Sequence, residues 1–126
     1  MRFLIIVKAG AEPEAGTPPD PDLMAAMAEF HAALARDGAL LDAASLAPDA
    51  DGWCIRYGEA GPRVEVGGFD GPGQRISGYT LIQARSGDEA LEWARRFPTP
   101  HGASRPAQIE VHPVLGPADP HPGRQA

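Results

Sequence analysis

The sequence predicts an α+β protein in which two helices cover one face of an antiparallel, ferredoxin-like sheet. Apolar periodicity and turn residues give the element order β-α-β-β-β-β-α-β along 126 residues, a length that suits one domain. Two helices of this length cover only one face of a five- or six-stranded sheet. Residues 3–7 (FLIIV) are nevertheless continuously apolar, as in a strand buried on both faces. Because no third helix is predicted, we expect a second copy to cover the other face in a symmetric homodimer.

Residues 20–37 are predicted as the first helix. Asp20 suits the N-cap, and Pro21 suits the first helical position, where a missing N–H costs nothing. Gly38 follows the last turn, where a left-handed residue commonly ends a helix. The apolar residues recur at i, i+4, i+7 and i+11 and form one stripe: Leu23, Met27, Phe30 and Leu34.

The middle of the chain is predicted to hold four strands. Residues 40–46 form the first of these, and residues 53–57 and 63–66 form a hairpin around a Gly/Pro turn. Residues 76–84 form the fourth, after a glycine-rich segment of the kind that often carries function. Gly78 within that strand indicates a bulge or a close backbone approach.

A second helix and a last strand complete the predicted domain, residues 1–115. Ser86 and Glu89 form a capping box, in which each side chain accepts from the backbone N–H of the other residue. The last strand, 108–115, contains Pro113 and is therefore expected at a sheet edge. Residues 116–126 have no periodicity and are predicted to be a disordered tail.

Composition excludes several classes of function. The net charge is -6 and no basic stripe is present, so we expect no nucleic-acid partner. No apolar run approaches the length of a membrane span, and no signal peptide is recognisable, which favours a cytoplasmic protein without a membrane partner. Cys54 is the single cysteine, which excludes an intrachain disulfide, and its apolar neighbours predict a buried, inert thiol.

Several segments in this order resemble the YCII-related (DGPF) domain family. They are the first strand, the helix before Gly38, residues 78–83 (GYTLIQ), residues 88–98 (DEALEWARRFP) and residues 109–114 (IEVHPV). The resemblance extends over residues 2–115 and implies a ferredoxin-like, dimeric α+β barrel. Most members of the family have no established activity. Some relatives are small enzymes acting on ring compounds, and others are encoded or fused with transcription-initiation factors.

The family signature is degenerate in this chain. That signature is Asp-Gly-Pro-Phe, followed shortly by Glu and Lys. Counting back without gaps from residue 78 puts it on residues 66–69, where Val66 replaces the acid and Phe69 is retained. The alternative register, on Asp70 and the Gly-Pro that follows it, needs a four-residue deletion before the next strand. The ungapped register is preferred.

Two residues are candidate catalytic groups, and three are candidates for lining a ligand pocket. The resemblance makes a histidine on the first helix, here His31, a candidate partner for the family acid, and Asp70 could replace that acid from a nearby loop position. A carboxylate would orient the imidazole for proton transfer. The alternatives are a histidine at the boundary of the apolar stripe and a turn aspartate. Phe69, Tyr79 and Trp53 line a pocket between sheet and loop, or else pack in the core.

No cofactor or metal motif is recognised. His101, His112 and His121 lack the spacing of metal ligands, and the glycine-rich segment opens no helix, unlike a phosphate loop. Three functions remain open. The first is a small-molecule-binding dimer with weak or no catalysis. The second is a cofactor-free isomerase or lyase using His31 and Asp70, and the third is an accessory protein of transcription regulation.

Overall fold

The computed structural model describes residues 1–9, 20–47, 52–67, 75–98 and 107–116. It has six strands and two helices in these residues, in the order predicted from the sequence. They are β1 (Arg2–Ala9), α1 (Pro21–Arg36), β2 (Leu40–Ser45), β3 (Trp53–Arg56), β4 (Arg63–Val66), β5 (Arg75–Gln83), α2 (Gly87–Arg95) and β6 (Ala107–Val114).

The main sheet is antiparallel and has four strands in the order β2-β5-β1-β6. Strands β3 and β4 pair with each other as a separate two-stranded sheet. The expectation of one five- or six-stranded sheet is therefore wrong. Periodicity counts strands but does not say which of them pair, and here β2 pairs directly with β5. Without the β3–β4 hairpin, the order βαββαβ is the ferredoxin-like arrangement, which confirms the predicted fold class.

Both helices pack on one face of the main sheet. The core joins alternate residues of β1 to apolar residues of both helices and of β5. Ile5 and Leu34 are fully buried, whereas Leu4 and Ile6, on the other side of β1, are half-buried. The expected burial of both faces of β1 is thus met on the helix side only. We call the other side the open face; it includes Leu4, Ile6, Tyr79, Leu81 and Glu110.

The predicted limits of α1 are confirmed by its caps. The Asp20 carboxylate accepts from the backbone N–H of Asp22 at 2.9 Å and of Leu23 at 3.4 Å. Asp37 is the C-cap, and Gly38 follows with a φ of 74°, the left-handed conformation expected after a helix. Local interactions at Asp20 and at Asp37–Gly38 therefore set the two ends of the helix.

The capping box of α2 forms in one direction. Ser86 Oγ accepts from the backbone N–H of Glu89 at 3.1 Å, as predicted. The Glu89 carboxylate does not return this bond to Ser86; it accepts from the N–H of Arg85 at 3.4 Å and from its Nε at 3.0 Å. The guanidinium is a charged donor, so it competes well for a carboxylate that lies next to it.

Gly78 marks both a bulge and a close backbone approach. Val7 pairs with Gly78 but Lys8 pairs with Ile76, so β5 has one extra residue at this point. A Cβ built on Gly78 would lie 2.9 Å from the carbonyl oxygen of Ala44 on β2. A side chain at this position would therefore push the neighbouring strand away.

Other expectations about the strands have mixed outcomes. Strand β6 lies at a sheet edge, as Pro113 predicted. Cys54 is half-buried and not fully buried, because the hairpin that carries it stands apart from the main sheet.

In the described part of the chain, no helix is long and apolar enough to cross a membrane. Of the predicted tail, residues 117–126 lie outside the described residues.

Candidate functional site

His31 lies at the contact between α1 and the main sheet. It follows the buried Phe30 in the helix, so its ring is at the edge of the apolar stripe and is half-buried. Its Nε2 lies 3.0 Å from Oγ1 of Thr80 on β5. Thr80 is 1% exposed and pairs with Ile5 on β1 and Ala43 on β2. A polar pair is therefore built into an otherwise apolar layer.

The surroundings of His31 favour the neutral imidazole. Burial lowers the pKa of His31 below the ordinary value of 6.5, because desolvation penalises the charged ring. Among the described residues, no carboxylate forms an ion pair with His31, so nothing there opposes this effect. The neutral ring either accepts a hydrogen bond from the Thr80 hydroxyl at Nε2 or donates one to it, depending on the tautomer. In either form one ring nitrogen remains for another partner.

Tyr79 lies on the open face, on the opposite side of the sheet from His31. Neighbouring residues of a strand point to opposite faces, and Thr80 faces the helices. The Tyr79 hydroxyl donates to the Asp42 carboxylate at 2.9 Å. This hydrogen bond, with the negative charge of Asp42, raises the pKa of Tyr79. The sheet thus separates Tyr79 from the imidazole.

The remaining candidate residues do not join His31 in the described structure. Trp53 lies on the β3–β4 hairpin and is 67% exposed. Phe69 and Asp70 lie outside the described residues, so the pairing of Asp70 with His31 stays a prediction. Val66, which takes the place of the family acid in the ungapped register, is at the end of β4 and is exposed.

Thr80 is the partner that sequence reasoning missed. The alternation along residues 76–84 indicated that Gly78, Thr80 and Ile82 share a face, and that face is buried. A threonine at a buried strand position needs a hydrogen-bonding partner. That signal was available, but it does not identify which helical residue supplies the partner.

A second polar cluster, also missed, lies on the open face. Glu110 accepts hydrogen bonds from Gln108 at 3.3 Å and pairs with Lys8 at 3.3 Å. His112 Nε2 lies 2.9 Å from the Glu110 carboxylate. The hydrogen bonds from His112 and then Lys8 lower the pKa of Glu110. The cluster holds a carboxylate in its charged form on strand β6.

Shallow grooves formed by described residues lie away from these clusters. One, of about 400 Å³, lies between the helices, with Phe30, Arg36 and Arg96 among its lining residues. The Arg96 guanidinium lies over the Trp93 ring, 4.3 Å from its centre. The other, of about 480 Å³, includes Gln83 and Glu89. Neither groove is lined by His31 or Tyr79. Within the described ranges, no group of three or more His, Cys, Asp and Glu side chains is placed to hold a metal ion.

Similarity to known proteins agrees with this architecture. The sequence matches the family model of the YCII-related domain over residues 1–112, which extend from β1 to the later part of β6. No curated protein matches the chain significantly.

Proposed function

Because this chain belongs to the YCII-related domain family, we propose that it is a small-molecule-binding homodimer with weak or no catalytic activity. The observation that carries the proposal is the hydrogen bond between His31 and Thr80. It holds a neutral imidazole in one orientation at the edge of the core. A preoriented polar group beside apolar side chains is the usual composition of a small-molecule site.

The ring nitrogen that faces away from Thr80 is the group through which His31 would bind a ligand. Thr80 occupies Nε2, and no described residue hydrogen-bonds Nδ1. A neutral imidazole can accept from or donate to a ligand hydroxyl, amide or carbonyl. A structural role competes with this function, since the same bond also satisfies the buried hydroxyl of Thr80. The experiment below separates the two.

The proposal of weak or absent catalysis is supported by the described surroundings of the imidazole. A histidine that transfers protons efficiently is commonly oriented by a carboxylate, which also stabilises its charged form. In the part of the chain that the structure describes, the orienting group is the uncharged Thr80. The position of the family acid is held by Val66 in the ungapped register.

The homodimer is supported by the apolar centre of the open face. Leu4, Ile6 and Leu81 are half-buried there, on the side of the sheet that no described helix covers. Packing two such faces together would remove this apolar surface from water, at about 25 cal/mol per Å². In a two-fold symmetric dimer, the same apolar residues of each copy are buried against one another.

A cofactor-free isomerase or lyase is the second candidate function. The lowered pKa of His31 favours it, because a neutral imidazole at physiological pH can act as a general base. In that mechanism Asp70 would supply the charge that Thr80 lacks. Asp70→Asn would then abolish turnover of a ring substrate while leaving its binding intact.

Ligand binding is tested by NMR on protein labelled with ¹⁵N at histidine. A library of small ring compounds bearing hydroxyl, carbonyl or carboxylate groups is screened for changes in the His31 ring signals. We expect binders to shift the Nδ1 signal of His31, and His31→Gln to weaken their binding about tenfold. The matched control is His112→Gln, on the opposite face, which should bind as the wild type does. If compounds bind without affecting His31, or if none binds, the proposed site is wrong.

The dimer is tested by light scattering coupled to size-exclusion chromatography. We expect a mass twice the 13.2 kDa of one chain at micromolar concentration. A mass of one chain over the whole accessible range contradicts the dimer but not the ligand site.

A further inference from the structure

The β3–β4 hairpin exposes an apolar surface that no described part of the chain covers. Trp53 pairs with Val66 and Ile55 pairs with Val64, so these four side chains lie on one side of the hairpin. Their exposed fractions are 67%, 72%, 50% and 62%. We call these four residues the hairpin face. Together they present several hundred Å² of contiguous apolar surface, the size that marks an interaction site.

The other side of the hairpin is polar and is satisfied internally. Glu65 accepts from Arg56 Nε at 3.1 Å and pairs with Arg63 at 3.3 Å. These contacts hold the pKa of Glu65 below its ordinary value, with the hydrogen bond from Arg56 as the first cause. The hairpin is therefore amphipathic: its charged side is suited to water, and none of the described residues covers its apolar side.

An isolated two-stranded hairpin is marginal in water, so the hairpin face needs a covering surface. The area of the open face, compared with the area that a stable dimer buries, favours a second copy of the chain as this covering surface. Four strands of six to nine residues, at about 4.8 Å between strands and about 3.3 Å per residue, give a face of about 500 Å². A stable interface buries about 800 Å² on each partner. The open face alone falls short of this area, and the hairpin face would supply the remainder if it packs against the same partner.

Charge also favours a second copy as the occupant. The chain carries a net charge of -6, so association of two copies is opposed by repulsion in general. Over the whole hairpin, residues 53–66, Arg56 and Arg63 are balanced by Glu59 and Glu65, so the hairpin has no net charge. The hairpin is thus an apolar and uncharged part of an acidic protein, and another acidic copy meets less repulsion there than on the rest of the surface.

We propose that the hairpin face packs against a second copy of this chain and forms part of the homodimer interface. The inference rests on the proposed dimer and adds to it, because it assigns the hairpin to the interface. In the dimer, Trp53 and Val66 become buried while Glu65 and the two arginines remain toward water. The separate two-stranded sheet is then an assembly element and not part of the ligand site.

The test measures the dimer dissociation constant of hairpin-face variants by analytical ultracentrifugation. We expect Trp53→Ser and Val66→Ser each to raise the constant at least about tenfold. Leu91→Ser is the matched control: Leu91 is 46% exposed on α2, on the helix side, and its replacement should leave the constant unchanged. If the wild type dimerises and the hairpin variants dimerise equally well, the hairpin assignment is wrong and the dimer stands. A monomeric wild type overturns both.

A second measurement does not depend on substituting the hairpin face. Cys54 is the single cysteine and is on the polar side of β3, so a spin label there reports the hairpin position uniquely. In the wild-type dimer we expect one narrow distance between the two labels, because a packed hairpin has one position. A broad distribution within a confirmed dimer overturns the proposal, since it places the hairpin away from the partner. This distance measurement uses no serine variant, so it tests the proposal even if such a variant fails to fold.

Discussion

His31 and Thr80 are 49 residues apart in the sequence, yet Nε2 of His31 lies 3.0 Å from Oγ1 of Thr80. The bond connects the middle of α1 to the centre of β5. It couples the buried hydroxyl of Thr80 to the half-buried imidazole. Two consequences for stability follow, one for substitution and one for pH.

Replacing His31 should cost more than replacing both members of the pair. His31→Leu leaves the Thr80 hydroxyl buried without a partner, and we expect it to lower the free energy of unfolding by about 1–3 kcal/mol. Adding Thr80→Val removes that hydroxyl at nearly constant shape and should restore part of the loss. Urea denaturation of the two single variants and the double variant measures this. Strictly additive losses would show that the bond does not satisfy Thr80.

The pH dependence of stability should carry a contribution from His31. Because burial lowers its pKa in the folded protein, the unfolded chain takes up a proton first as the pH falls. The contribution of His31 to the free energy of unfolding should therefore be constant above about pH 6.5. It should decline as the pH falls from there toward the pKa of His31 in the folded protein. The comparison is between the wild type and His31→Gln in urea denaturation at a series of pH values. Parallel curves for the two proteins would contradict the prediction.

Gly78 should not tolerate even a methyl group. The built Cβ lies 2.9 Å from the backbone oxygen of Ala44, so Gly78→Ala must displace β2. We expect a loss of about 1–3 kcal/mol in the free energy of unfolding. Gly87→Ala is the control, because nothing lies within 4 Å of its Cβ position, and it should be neutral or stabilising by about 0.4–1 kcal/mol. Equal effects at the two positions would exclude steric contact as the cause.

Asp42 should control the ionisation of Tyr79. The hydrogen bond to Asp42 and the charge of that carboxylate raise the pKa of Tyr79 above 10.0. Asp42→Asn removes the charge and should lower that pKa toward the ordinary value. Phenolate absorbance in a Tyr57→Phe background reports Tyr79 alone, since the chain has two tyrosines. Asp88→Asn, on α2, serves as the control and should leave the titration unchanged.

Helix α1 shows how far local rules extend. Asp20, the apolar stripe and Gly38 lie within one segment, and each acts on residues at most a few positions away. The sequence therefore predicted the helix and both of its ends. The capping box of α2 was predicted half correctly, because the charged side chain of Arg85 competed for the Glu89 carboxylate.

Of the hydrogen-bonded pair His31 and Thr80, only His31 was predicted from the sequence. A histidine on the apolar edge of a helix was recognisable from spacing and from the family resemblance. Its partner was not, since the alternation along β5 says that Thr80 is buried but not which helical turn crosses it. Similarly, His31 was predicted as a catalytic residue and Tyr79 as a pocket-lining residue, but the sequence did not show that strand alternation and the position of α1 put them on opposite faces of the sheet.

By itself, the sequence determined the elements, their order, the fold class and the family, because these depend on periodicity, caps and turns that act over short distances. The tertiary structure alone decided that β2 pairs with β5 past the hairpin, which leaves a four-stranded sheet and a separate apolar arm. It also brought Thr80 to His31 and left the open face without a described covering element. Such contacts join residues distant in the chain, and they follow from which surfaces pack best together and not from any local preference.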